Sequence, residues 1–167
     1  QAFGLSVFSW NLLGKPRFVR AAQYEALFGS ATFLHSLGST LLSTIVTSVL
    51  ASSLSLSCAL LLNQRLRGVK AARTVSIIPA IIPMVIAGLL WRFIYEPTSG
   101  PLNTILEAVG IPGQAWLQDS SLALGAVIVV SVWKDFGIYM LVLLGGLQQI
   151  PQGITEAAIV DGTNAWQ

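Results

Sequence analysis

The sequence predicts an all-α membrane protein, a polytopic bundle of about three transmembrane helices. Three observations carry that expectation. Hydrophobic residues make up 54% of the 167-residue chain and charged residues only 10%, whereas a soluble domain carries about 25% charged residues. The apolar residues gather into three stretches that lack charge or nearly lack it. Each stretch reaches the roughly 20 residues that a helix needs to cross about 30 Å of hydrocarbon.

Residues 1–36 mix Trp10, Lys15, Pro16, Arg17, Arg20 and Glu25 with scattered apolar side chains. They read as an external loop with short interfacial helices, Trp10 and Tyr24 suiting headgroup level. Transmembrane helices and their connections occupy residues 37–147. The first span, Leu37 to Leu62, carries no charge, and Ser39, Ser43, Thr47, Ala51, Ser55 and Ala59 recur every four positions. That spacing puts small residues on one helical face, where a second backbone can approach closely. Cys58 in the same stretch reads as a small packing residue, and a lone cysteine excludes an intrachain disulfide.

The loop 63–73 holds Arg65, Arg67, Lys70 and Arg73 and no acid. Retention of Lys and Arg on the inner side makes it cytoplasmic. The second span, Thr74 to Tyr95, contains Pro79 and Pro83. Two prolines four apart kink or unwind a helix, and irregular backbone at membrane depth must be buried in protein or line a cavity. Arg92 sits at the outer end and can snorkel to the headgroups. The loop 96–121 has Glu96, Glu107 and Asp119 but no Lys or Arg, so it is placed outside. Within it, Pro101 opens a short helix that Gly110 stops. The third span runs from Leu122 to Leu147, and residues 148–167 then lie in the cytoplasm. Lys15, Arg17 and Arg20 fall outside in this scheme, but they lie more than 15 residues from Leu37, where the positive-inside effect weakens.

Two places can carry chemistry. Lys134 and Asp135 lie in the middle of the third span. Burying an ionisable residue at that depth costs about 2.5–3.5 kcal/mol on insertion scales, so such residues face a cavity or a partner. Neighbours on a helix point about 100° apart and do not form a facing pair. A substrate path and an ion pair with a neighbouring subunit both fit, with Ser131 one turn earlier on the face of Asp135 and Gly137 permitting a bend. The second place is the tail. Local rules give a short helix from Ile154 to Val160, with Glu156 in its first turn and Gly162 at its end.

Other classes of function find little support. A net charge of +2 with no basic block excludes a nucleic-acid partner. No Gly-rich phosphate loop is present. The single histidine, His35, reads as interfacial, and no His/Cys/carboxylate cluster has metal-ligand spacing. No catalytic or metal-binding residues are assigned; a membrane-embedded enzyme is the weaker alternative.

The tail also carries a resemblance. Glu156-Ala157-Ala158, two residues, then Asp161-Gly162 resembles the EAA motif of ABC importer permease subunits. The preceding Gly146 to Pro151 is similar to the lead-in found in the carbohydrate-uptake branch, the maltose and glycerol-phosphate type. Leu61-Leu62-Asn63, Leu66-Arg67-Gly68, Ile78-Pro79 with Pro83, Leu90-Trp91-Arg92 and Ser131-Val132-Trp133-Lys134 look like that branch in the expected order. The resemblance covers about residues 35–167.

That resemblance implies a permease in the cytoplasmic (inner) membrane, multi-pass, translocating a sugar or sugar derivative. The implied partners are a second permease subunit, two ATPase subunits, an external solute-binding protein and membrane lipid. ATP and Mg belong to the ATPase subunits, and no cofactor is expected on this chain. Glu156, Ala157, Ala158, Asp161 and Gly162 would form the cytoplasmic coupling helix that docks on the ATPase. By motif, the family's sugar pocket falls at Ala80, Met84, Ser131, Lys134 and Asp135. A permease for another solute class is the alternative within the family. The charged pair departs from the neutral residues expected there, and Thr163 replaces the usual alanine. Family members carry a span before the external loop and further spans after the coupling helix, so the chain is expected to be a fragment.

Overall fold

The computed structural model describes residues 6, 8–9, 17–64, 68–151, 153–154, 157 and 160–162. Trp10 and Lys15 of the expected external loop lie outside these residues, as do Arg65 and Arg67 of the basic loop. The chain divides into two compact units, Gln1–Thr44 and Ile45–Gln167.

In the first unit, β1 (Phe8–Ser9) pairs antiparallel with β2 (Arg17–Phe18), Phe8 opposite Phe18. The two rings stand 5.2 Å apart. The sequence pattern gives no sign of this small ladder, since two residues per strand are too few to show alternation. Helix α1 (Ala22–Phe28) comes next. It is tied back by Gln23 Nε2 donating to the Phe8 carbonyl at 3.0 Å and by the Tyr24 hydroxyl donating to Ser6 Oγ at 2.6 Å.

Helix α2 spans Ala31–Leu62, starting at Ala31 rather than at Leu37, where the apolar stretch begins. Ser30 sets that start. Its carbonyl accepts the first helical bond, from Leu34 N–H at 3.1 Å, and its hydroxyl oxygen accepts from Phe33 N–H at 3.4 Å, which is an N-cap. At 1.5 Å per residue the helix is ~48 Å long, more than the ~30 Å hydrocarbon core requires.

The second span is broken. Helices α3 (Val69–Ile81) and α4 (Met84–Ile94) meet at 99°. Only α2 and α6 (Ala123–Gln148) are single helices long and apolar enough to cross a membrane, so the described residues give two spans, or three if the bent pair counts as one. The cause is local. Pro83 supplies no N–H to the Pro79 carbonyl, and it drives the preceding residue out of the helical region. Ile82 accordingly has φ −66° and ψ 127°.

Within Ile45–Gln167, α6 packs most extensively against α3 and is also touched by α2 and α4. Ala59 of α2 packs with Met140 and Leu144 in a fully buried cluster, with Cys58 half-buried beside it. Ser55, also fully buried, donates to the Phe136 carbonyl at 2.8 Å. Gly137 lies against the Ser76 carbonyl of α3, and a methyl group there would run into that oxygen. Gly137 therefore permits a close helix crossing. It marks no break, since α6 continues through it. Trp133 meets Trp91 of α4 edge-on at 5.4 Å, and the Tyr95 hydroxyl donates to the Ala126 carbonyl at 3.1 Å.

Outside this core most apolar side chains are uncovered. Ile81 and Val85 are each 75% exposed, and Val142 is 72% exposed. Surfaces of that kind need lipid or further protein against them.

Candidate functional site

The break between α3 and α4 carries the best-defined polar cluster among the apolar helices. Lys134 reaches it from α6: its ammonium Nζ donates to the carbonyls of Ile82 at 3.0 Å, Ala80 at 3.4 Å and Pro79 at 3.5 Å. These are the oxygens that a proline break leaves without helical donors. The C-terminal end of α3 also carries the negative end of the helix dipole, where a cation is favoured. All three donor positions of the ammonium thus have an acceptor. No signal in the sequence links Lys134 to residues more than 50 positions away.

The other motif-derived pocket residues surround this brace without sharing one set of bonds. Ala80 is half-buried and contributes its carbonyl. Met84, 62% exposed, opens α4 just past the break. Ser131 is half-buried, and its hydroxyl donates back to the Val127 carbonyl at 3.0 Å, leaving its lone pairs free to accept. Asp135 is half-buried and has no hydrogen bond or ion pair among the described residues. It lies on the side of α6 shared by Ser131, Ile138 and Val142; the last two are exposed.

Two cavities line the same helix. One of about 510 Å³, near the start of α6, is walled by Trp91, Tyr95, Trp116, Leu122 and Ala126. The other, about 420 Å³, lies between α2 and α6 and is walled by Leu50, Leu54, Val132, Trp133 and Phe136. Neither is lined by Ala80, Met84, Ser131, Lys134 or Asp135.

Asn103 is the structural residue that sequence reasoning missed. It sits on α5 (Pro101–Ala108), a short helix with proline in its first turn, and is only 2% exposed. Its amide nitrogen donates to the Pro97 and Gln114 carbonyls, both at 2.9 Å. Its oxygen accepts from Gln114 N–H at 3.1 Å and from Trp116 Nε1 at 2.8 Å. Every polar position of the side chain is filled, and the loop 96–121 is held around it. Polar character inside a charged loop gave no hint of this.

Two carboxylates finish that loop, Glu96 half-buried and Asp119 exposed. Glu96 accepts from Ser99 N–H at 2.5 Å and from the Thr98 hydroxyl at 2.8 Å. The bond from Ser99, followed by that from Thr98, holds its carboxyl below the usual carboxylate range. Asp119 is lowered in the same way, first by the Ser121 hydroxyl at 2.6 Å and then by the Ser121 N–H at 2.8 Å.

Between α2 and α3, Arg73 donates from its guanidinium to the Leu62 carbonyl at 3.0 Å and so caps the last turn of α2. In the tail, Gly153, Ile154, Ala157 and Val160 have helical backbone, and Asp161 N–H donates to the Ala157 carbonyl at 2.9 Å. Gly162 has φ +73°, the left-handed conformation that glycine adopts without strain at a helix end. Ala157, Asp161 and Gly162 are exposed, while Glu156 and Ala158 lie outside the described residues. Among the described residues no group of three His, Cys, Asp or Glu side chains is gathered to hold a metal ion.

Comparison with known proteins gives a consistent result. Residues 51–167 match the family described as binding-protein-dependent transport system inner membrane component. The chain is 35% identical over 164 residues to the sn-glycerol-3-phosphate transport system permease protein UgpA of Brucella abortus biovar 1, covering 97% of this chain and 52% of that protein. It is 34% identical over 150 residues to the trehalose/maltose transport system permease protein MalF of Thermococcus litoralis, covering 90% of this chain and 51% of the relative. The crystal structure of a bacterial alginate ABC transporter, in complex with a periplasmic protein bound to alginate pentasaccharide, superposes with a TM-score of 0.78. That superposition is at 25% identity, over 86% of this chain and 50% of the solved one. The chain spans about half the length of the curated relatives it matches.

Proposed function

Since the chain belongs to the family of binding-protein-dependent transport system inner membrane components, we propose that it acts as a permease subunit of an ABC importer for a sugar or sugar derivative. The observation that carries this reading is the similarity of nearly the whole chain, at 34–35% identity, to permeases named for glycerol 3-phosphate and for trehalose and maltose. The broken span supports it: irregular backbone at membrane depth belongs where a bundle encloses a path.

In this reading an external solute-binding protein delivers the sugar, and a second permease supplies the other wall of the path. Ala80, Met84, Ser131, Lys134 and Asp135 stand at its mid-level around the α3–α4 break. The tail docks on one of two ATPase subunits at the cytoplasmic side of the inner membrane. Glu156 offers charge to a basic partner, and Ala157 and Ala158 allow close approach. The turn at Gly162 sets the angle at which the backbone leaves the docking helix. Nucleotide-driven closure of the ATPases moves these helices, and α6 carries the displacement to the break through Lys134 and Gly137. ATP and Mg act on the partner subunits.

Reconstitution tests the reading. The complete importer in proteoliposomes is expected to accumulate a sugar only with ATP inside and the binding protein outside. Accumulation that ignores both would refute it.

A further inference from the structure

We infer that the two charges at positions 134 and 135 have separate tasks: Lys134 is a positioning residue that holds the α3–α4 break, and Asp135 sets the path to accept an uncharged polyhydroxyl solute and to disfavour a phosphorylated one. The inference rests on the sugar-permease reading and deepens it.

The ammonium of Lys134 is engaged by the carbonyls of Pro79, Ala80 and Ile82. With its three donors committed to these carbonyls, none is left to hydrogen-bond an anionic group directly. Asp135, the adjacent residue, has no such compensation among the described residues. It is half-buried on a face of α6 that it shares with half-buried Ser131 and with Ile138 and Val142, which are uncovered by the chain. A carboxylate facing lipid is costly, so that face meets water, solute or a neighbouring helix. An ionised carboxylate only accepts hydrogen bonds, and sugar hydroxyls donate them. The Ser131 lone pairs, one turn away, add a second acceptor. A phosphate group offers mainly acceptors and negative charge, which this pair of acceptors repels.

The test uses the purified permease–ATPase assembly without binding protein, so that selectivity reports on the membrane path. The probes are trehalose and glycerol 3-phosphate, in equilibrium binding over the millimolar range. Trehalose is expected to bind about tenfold more tightly, the size of one well-placed polar contact. Asp135→Asn should shrink that preference to about threefold or less. Lys134→Met should weaken both probes equally and leave their ratio unchanged. In a Cys58→Ala background it should also speed thiol labelling of Met84→Cys, because the break loosens. Lys134→Arg should restore both readouts. Preferential binding of glycerol 3-phosphate that vanishes in Lys134→Met would overturn the inference, as would an unchanged preference in Asp135→Asn. The latter result points to an ion pair with the second permease. If neither probe binds and the complete importer moves no sugar, the underlying reading fails as well.

Discussion

Glycines on α6 separate packing from conformational freedom. Gly137 has the Ser76 carbonyl where a Cβ would stand, while Gly125 has open space around it. Gly137→Ala should therefore destabilise the bundle by about 1–3 kcal/mol, the usual cost of overpacking. Gly125→Ala should be neutral or slightly stabilising, because alanine is the better helix former. Thermal unfolding of the two variants in detergent reads the difference; equal shifts would mean that the crossing is looser than described.

Asn103 makes a second residue-scale case. Asn103→Ala orphans the Trp116 indole N–H and the Gln114 N–H together with two carbonyls. At about 1–3 kcal/mol for each buried group left unpaired, the loop 96–121 should lose its order, seen as faster amide exchange across residues 97–116.

The pH dependence of that loop comes from Glu96 and Asp119. Both carboxyls are lowered in the folded state, so their stabilisation is fully present above the unfolded values of about 4. It fades as pH falls through the lower folded values. Protection of the Ser99 and Ser121 amides, measured by exchange, should persist at pH 6 and be lost progressively below about pH 4. Protection that falls instead as pH rises would contradict the assigned direction of both shifts.

At the scale of elements, the α3–α4 break is where sequence and structure can be weighed against each other. The prolines located it, because a missing N–H and a restricted preceding residue are local properties. The 99° angle was not legible, since it depends on Lys134 and Trp133 arriving from α6, far away in sequence. The nearly uncharged apolar stretch placed α6, and the Pro101 and Gly110 signals placed α5, each within a residue of its ends. The start of α2 was missed because the capping hydroxyl of Ser30 lies outside the apolar stretch. The small-residue stripe was legible as a packing face, and Ala51, Ser55 and Ala59 are the buried residues of α2. Its polar function was not: Ser55 bonds to the Phe136 carbonyl of another helix. Pro83→Ala returns a donor to the Pro79 carbonyl and frees Ile82 to become helical. The pair should straighten, seen as a longer spin-label distance between positions 72 and 92, and transport should fall while folding is retained. An unchanged distance would show that α6 alone imposes the bend.

At the scale of the molecule, the uncovered apolar surface sets what the chain can do by itself. Most of α2 and α6 is unburied within the chain, and the face of Asp135 is left open. Helices in lipid associate by close packing and hydrogen bonding, not by hydrophobic exclusion, so further helices must cover these faces, and in the proposed importer the second permease supplies some of them. Co-expression with that second permease should raise the unfolding temperature relative to the chain alone, and the gain should shrink for polar substitutions at the exposed Ile138 and Val142.

The central claim is that motion of the tail drives the path. It is tested most directly by measuring sugar uptake and ATP hydrolysis together in proteoliposomes carrying the complete importer with Glu156→Lys or Gly162→Asp. The second substitution places a side chain where the backbone has φ +73°. Uptake is expected to collapse in both variants while the ATPase subunits detach or hydrolyse ATP without regard to sugar and binding protein. Uptake and its coupling to hydrolysis unchanged in both variants would contradict the claim.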